Sequence, residues 1–263
     1  MIPIHDENRS RTTPYVVAIL ILVNLAVFVN EATMNEREIR AFITGYGMTP
    51  GATVDAVKSF RIFSIHSGWT FITSMFLHAS WWHLIGNMWF LWLFGDNVED
   101  YLGHLRFIVF YLFSGFAAGL AHFMMDPMSQ IPCVGASGAI SGILGAYALL
   151  FPRARIVCFL PSLSILIRFR IRAVFFMGVW FLFQMIPGVI VLSLPKGAGI
   201  AYWAHIGGFM FGMFLTANFR RRKKQIEDNP IIGGVKYYKC PEDGEDWHKD
   251  AKKALFGRGK KSD

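Results

Sequence analysis

Ser137 stands between two glycines in Gly135-Ala136-Ser137-Gly138, at the head of a short apolar stretch, and His205 interrupts a second apolar stretch. A polar side chain inside hydrocarbon is costly and is usually kept for function. A hydroxyl and an imidazole brought within hydrogen-bond reach supply a nucleophile and its general base, the pair that acyl-transfer chemistry needs. His83 and Asn87 are four residues apart, which puts them on one helix face. Imidazole and amide N–H groups there could hold the oxyanion of a tetrahedral intermediate. The backbone N–H of Ser137, at a helix N-terminus, is a natural further donor. His78 precedes the His83–Asn87 pair and could support it as a hydrogen-bond partner.

The elements that must position these residues are membrane helices. Of the 263 residues, 54% are hydrophobic and 17% charged, with 25 Phe and 8 Trp, a composition of an integral membrane protein rather than a soluble domain. Hydropathy predicts six spans at residues 14–30, 82–100, 105–125, 135–151, 171–193 and 201–219, hence an all-α, polytopic six-helix bundle. No small-residue cleavage site follows the first span, so it reads as a retained helix and not a signal peptide. Arg153, Arg155, Arg168 and Arg170 lie between spans four and five with Arg172 at the start of span five, and Arg220-Arg221-Arg222-Lys223-Lys224 closes span six. Between spans three and four there is no Lys or Arg, and between five and six only Lys196. The positive-inside bias therefore puts both termini in the cytoplasm. The expected division is a polar segment at 1–13, a membrane domain at 14–219 and a basic tail at 220–263.

Depth links the serine to the histidine. Ser137 lies 16 residues before Arg153, about 24 Å at the helical rise. His205 lies 15 residues before Arg220, about 22 Å on the same rise. Two helices running the same way thus carry both groups to nearly the same level, below the outer edge of a core about 30 Å thick. Ile131-Pro132 cannot continue a regular helix into Ser137, and irregular backbone at membrane depth is tolerated where it lines a wet cavity or is buried in protein. Gly138 and Gly142 with Ala146, and Gly208 and Gly212 with Ala204, recur every four residues, a spacing that lets helix backbones approach closely.

The remaining segments carry less chemistry. Residues 31–81 read as a long outer loop, aromatic from Trp69 through Phe71, Phe76, Trp81 and Trp82, lying in the interface. The net charge of +8 does not point to nucleic acid: 13 of the 26 basic residues lie from Arg220 onward, mixed with eight acids, and headgroup attraction accounts for them. Cys133, Cys158 and Cys240 are too scattered for a disulfide framework or zinc site. His122 reads as a packed residue of span three, and His5, His66, His104 and His248 as loop or terminal residues.

Phe76-Leu77-His78 with His83-x-x-x-Asn87, then Gly135-Ala136-Ser137-Gly138, then Ala204-His205-Ile206-Gly207-Gly208 together resemble the rhomboid family of intramembrane serine proteases. Three motifs in order, on helices two, four and six, carry a resemblance that covers about residues 12–220. It implies a Ser137–His205 dyad with no catalytic acid, Asn87 and His83 at the oxyanion site, and no metal or organic cofactor. It also implies a substrate that is a transmembrane segment of another protein, cut near its outer end. The compact six-helix form resembles bacterial members, so a bacterial plasma membrane is expected. Two positions depart from the pattern: Trp69-Thr70 where many members carry Trp-Arg, and Ser141 where members often place an aromatic ring beneath the histidine. The orientation of His205 must then rest on other contacts.

Rival chemistries fail on inventory. A metalloprotease needs His-Glu-x-x-His, which is absent. Aspartyl chemistry needs two intramembrane aspartates, and only Asp96 and Asp126 come near, both at span ends. The paired glutamates of prenyl-protein endopeptidases are missing, and a transporter would show broken helices in corresponding halves. A relative that binds membrane proteins without cutting them is the remaining alternative, although such relatives usually lose the serine or the histidine.

Overall fold

The computed structural model describes residues 1–59, 68–161, 166–191, 201–228, 231–232 and 235–236. His66, Lys196, Cys240 and His248 lie outside the described residues. The chain is mostly helical: α1 (Tyr15–Thr33), α2 (Glu36–Tyr46), α3 (Pro50–Lys58), the short α4 (Thr70–Thr73) continuing into a 3-10 turn (Ser74–Phe76), α5 (Trp81–Leu102), α6 (His104–Met125), α7 (Ser137–Leu150), α8 (Ala173–Val191) and α9 (Tyr202–Asp228). Met1–Ala217 form one compact unit, and Asn218–Asp263 a second, in which Ile231–Ile232 pairs antiparallel with Val235–Lys236.

Three helices are long and apolar enough to cross a membrane among the described residues: α1, α6 and α8 over Ala173–Ile190. Their outward faces present Ile19, Leu22, Val109, Phe113, Leu182, Phe183 and Ile186, as lipid-facing sides require. The short apolar α7 is different. Every residue from Gly138 to Tyr147 is buried, so α7 is enclosed on all sides, as a helix without a polar stripe must be.

Capping explains where several helices begin and end. Asn35 accepts from the backbone N–H groups of Arg37 and Glu38 while Glu38 accepts from that of Asn35, a reciprocal box that starts α2. Ser80 Oγ accepts from the His83 N–H and starts α5. Gly103, at φ +78°, ends α5 and opens α6 in a conformation that favours glycine. Glu99, fully buried near the end of α5, accepts from the backbone N–H groups of Val16 (3.0 Å) and Val17 (2.8 Å). A carboxylate thereby satisfies the first turn of α1, where the helix dipole favours negative charge. His104, which carried no signal in the sequence, pairs with the same carboxylate.

Two stretches read as irregular are structured. The outer segment at 31–81 contains α2, α3 and α4 instead of a plain loop. The cytoplasm-assigned segments form a sheet that an all-helical expectation leaves out: β1 (Ile2–Asp6), β2 (Arg155–Pro161) and β3 (Leu166–Arg172), in antiparallel order β1-β2-β3. Cys158 sits opposite Pro3 and Phe169. Residues 1–13 belong to the main unit, β1 through the sheet and the rest through hydrogen bonds to α5. Asn8 donates to Asn97, Thr12 to Asp100 and the Trp89 indole to the Pro3 carbonyl, while Arg170 pairs with Glu7.

Candidate active site

The turn that delivers Ser137 is built around Gly135. Its φ of +123° is a backbone conformation that side chains rarely adopt. A Cβ there would also sit 2.6 Å from His83 Cε1 and 3.6 Å from Asn87 Nδ2. Both conformation and space therefore demand glycine. The Gly135 N–H donates to the Ser74 carbonyl at 2.8 Å, tying the turn to the 3-10 segment. Upstream, Met48 and Cys133 exchange backbone hydrogen bonds in an isolated bridge, so the outer helices hold the approach to α7. The Cys133 thiol is pushed up to about 11 by burial, which keeps it protonated.

Helices α7 and α9 meet backbone to backbone. A Cβ on Gly212 would lie 2.1 Å from the Gly142 carbonyl oxygen, and one on Gly142 would lie 2.5 Å from Ser114 Cβ on α6. Gly138 faces Ala118 Cβ in the same way, at 2.6 Å. No side chain fits in these seams. The closeness brings His205 Nε2 to 2.8 Å from Ser137 Oγ, a hydrogen bond between a hydroxyl and the ring nitrogen that would take its proton.

His83 and Asn87 flank this pair on α5. Asn87 is buried, and its Nδ2 has no hydrogen-bond partner among the described residues. A buried amide donor left unpaired costs stability, which an oxygen arriving in the site would recover. His78 packs edge-on against His83 with ring centroids 5.1 Å apart. Burial, with His83 alongside, pushes His78 down to about 4, so its ring is neutral. Its backbone N–H donates to Glu31 Oε2 on α1 at 3.2 Å, while neither ring nitrogen finds a partner among the described residues.

Ser137, His205, His83 and Asn87 line one cavity of about 280 Å³, whose apolar wall includes Phe90, Ile140, Leu144 and Trp180. Of the two departures from the family pattern, Thr70 is buried in α4 and its hydroxyl has no hydrogen-bond partner among the described residues. Ser141 is buried, and its hydroxyl donates to the Ser137 carbonyl at 2.6 Å, a back-bond within the helix.

What holds the imidazole instead comes from α8, which the reading of the sequence did not credit with a site residue. Gln184 Oε1 lies 2.8 Å from His205 Nδ1, and the Trp180 ring lies 6.2 Å from the imidazole. The available signal was a lone amide among the otherwise apolar residues of α8.

Comparison with known proteins gives one family. The family model for the Rhomboid domain matches residues 66–222, which hold Ser137, His205, His83, Asn87, His78 and Gln184. Rhomboid protein 1, mitochondrial, of Saccharomyces cerevisiae is 33% identical over 148 residues, covering 54% of this chain and 39% of that protein. Rhomboid-like protease 3 of Toxoplasma gondii is 29% identical over 178 residues, covering 68% and 60%. Rhomboid protease GluP of Bacillus subtilis is 30% identical over 141 residues, covering 53% and 25%. The matches thus span less than two thirds of each of these relatives.

Proposed function

The chain belongs to the rhomboid family of polytopic helical membrane proteins, and from that premise we propose that it is an intramembrane serine endopeptidase that cleaves transmembrane segments of other membrane proteins. The observation that carries this reading is the 2.8 Å contact between His205 Nε2 and Ser137 Oγ inside a cavity. Ser137 Oγ attacks the scissile carbonyl as His205 Nε2 takes its proton. The oxyanion forms against Asn87 Nδ2, the His83 ring and the Ser137 backbone N–H. His205 then returns the proton to the leaving amine, and the acyl-enzyme is hydrolysed by a water that His205 activates in turn.

The remaining assignments are part of the same proposal. Spans at α1, α5, α6, α7, α8 and α9 make six crossings, with residues 1–13 and 220–263 in the cytoplasm and a bacterial plasma membrane as the setting. The Lys and Arg distribution around the span ends supports this orientation. The alternative, a weakly active or inactive relative that binds membrane proteins, draws on Ser141 in place of an aromatic ring. One experiment separates them. The full chain, reconstituted in proteoliposomes with a panel of single-span reporter proteins, is predicted to release a cleaved fragment that Ser137→Ala abolishes. Binding of reporters without any cut product across the panel would favour the alternative.

A further inference from the structure

We infer that Gln184 is a positioning residue: it fixes the tautomer and orientation of His205 and so completes a Ser137–His205–Gln184 hydrogen-bond chain. The inference rests on the dyad reading above and extends it to α8.

An imidazole has two nitrogens, and each is occupied here. Nε2 meets Ser137 Oγ at 2.8 Å, and Nδ1 meets Gln184 Oε1 at 2.8 Å. A neutral ring carries one proton, and the group opposite each nitrogen decides where it sits. The amide oxygen accepts, so the proton resides on Nδ1 and the Nε2 lone pair faces the serine. With the amide turned over, its NH2 would donate to Nδ1, the proton would move to Nε2, and the ring could no longer act as a base toward Ser137. The oxygen-inward orientation is therefore the one that works.

Other supports for the ring are sparse. α7 offers no aromatic beneath it, since Ser141 turns back to its own helix. Trp180, one helical turn before Gln184, is tilted 45° to the imidazole and does not bond to it. Among the residues that line the cavity, His83 on α5 is the one ionisable group beside His205, and none is a carboxylate. An amide partner stabilises the imidazolium that forms during attack, though less than a carboxylate would.

The test uses the full chain in detergent micelles and a fluorophosphonate probe, whose reaction needs no known substrate. Ser137 Oγ bonds to phosphorus, the P–F bond breaks, fluoride leaves, and the hydroxyl proton passes to His205 Nε2. Gln184→Met keeps the side-chain volume without the acceptor, and Gln184→Glu keeps the acceptor with a charge. We expect the folded fraction of Gln184→Met to label about tenfold more slowly. Gln184→Glu should restore the rate and move the acid limb of the rate–pH profile upward by about one unit, because the carboxylate favours the protonated ring. If Gln184→Met labels at the wild-type rate, or Gln184→Glu leaves the acid limb in place, the positioning role is wrong while the dyad stands. If the wild type itself is not labelled at Ser137, the dyad reading fails and takes this inference with it.

Discussion

Gly208 lies so close to Gly138 that a Cβ built on it would come within 2.1 Å of the Gly138 carbonyl oxygen. The obstacle is backbone, which cannot rotate away as a flexible side chain would. Gly208→Ala must therefore separate α7 from α9, and the Ser137–His205 contact lies across that seam. Overpacking of this kind costs about 1–3 kcal/mol. The expected result is a lowered midpoint of thermal unfolding in detergent together with loss of serine reactivity. Gly178→Ala on α8, where nothing lies within 4 Å, is the matched control and should change neither.

Asn87 separates catalysis from stability. Its Nδ2 is buried without a partner among the described residues, so the folded protein gains little from it. Asn87→Ala should slow turnover by about 10–1,000-fold, the range for loss of one oxyanion donor. Its thermal stability should stay level or rise. Slow turnover accompanied by clear destabilisation would mark Asn87 as a packing residue.

Glu99 anchors the start of α1 through two backbone N–H groups. Glu99→Ala leaves both donors without an acceptor in a buried setting, at a cost of about 1–3 kcal/mol. Chemical denaturation in micelles should show a lower midpoint, while labelling of Ser137 in the folded fraction stays normal. A midpoint equal to wild type would mean that the N–H groups find other acceptors at no cost.

Asp6 gives the stability a pH dependence. Burial raises its carboxyl from an ordinary 3.8 to about 7, against the Tyr147 hydroxyl, which donates to it. Between those two values the folded chain holds a proton that the unfolded chain has released. Stability therefore falls as pH rises from about 4 to about 7 and levels off above that. Asp6→Asn cannot ionise, so the slope of the unfolding midpoint against pH should shrink across this window. A slope identical to wild type would assign the dependence to other groups.

Much of this was legible in the sequence because membrane constraints are strict. Apolar runs place most of the long helices to within a few residues: the span predicted at 105–125 is α6 at His104–Met125, while α9 runs to Asp228, past the expected end at 219. The sheet is harder to see, because arginines beside apolar spans also carry the topology signal. Yet Arg168-Phe169-Arg170-Ile171-Arg172 alternates with a period of two, exposing the arginines and half-burying Phe169 and Ile171, the pattern of an edge strand. The partnership of β1 with β2 joins residues far apart in the chain and leaves no local trace. Gln184 escaped for a related reason. One amide in a long apolar helix marks a polar partner without saying which, and the contact with His205 depends on how α8 packs.

The central claim is that Ser137 is a nucleophile activated by His205. The most direct measurement is the site of fluorophosphonate modification, mapped by peptide mass spectrometry in wild type, Ser137→Ala and His205→Ala. The account predicts a single adduct on Ser137 in the wild type and none on that peptide in either variant. An adduct on Ser137 that persists undiminished in His205→Ala, or a folded wild type that carries none, would contradict it.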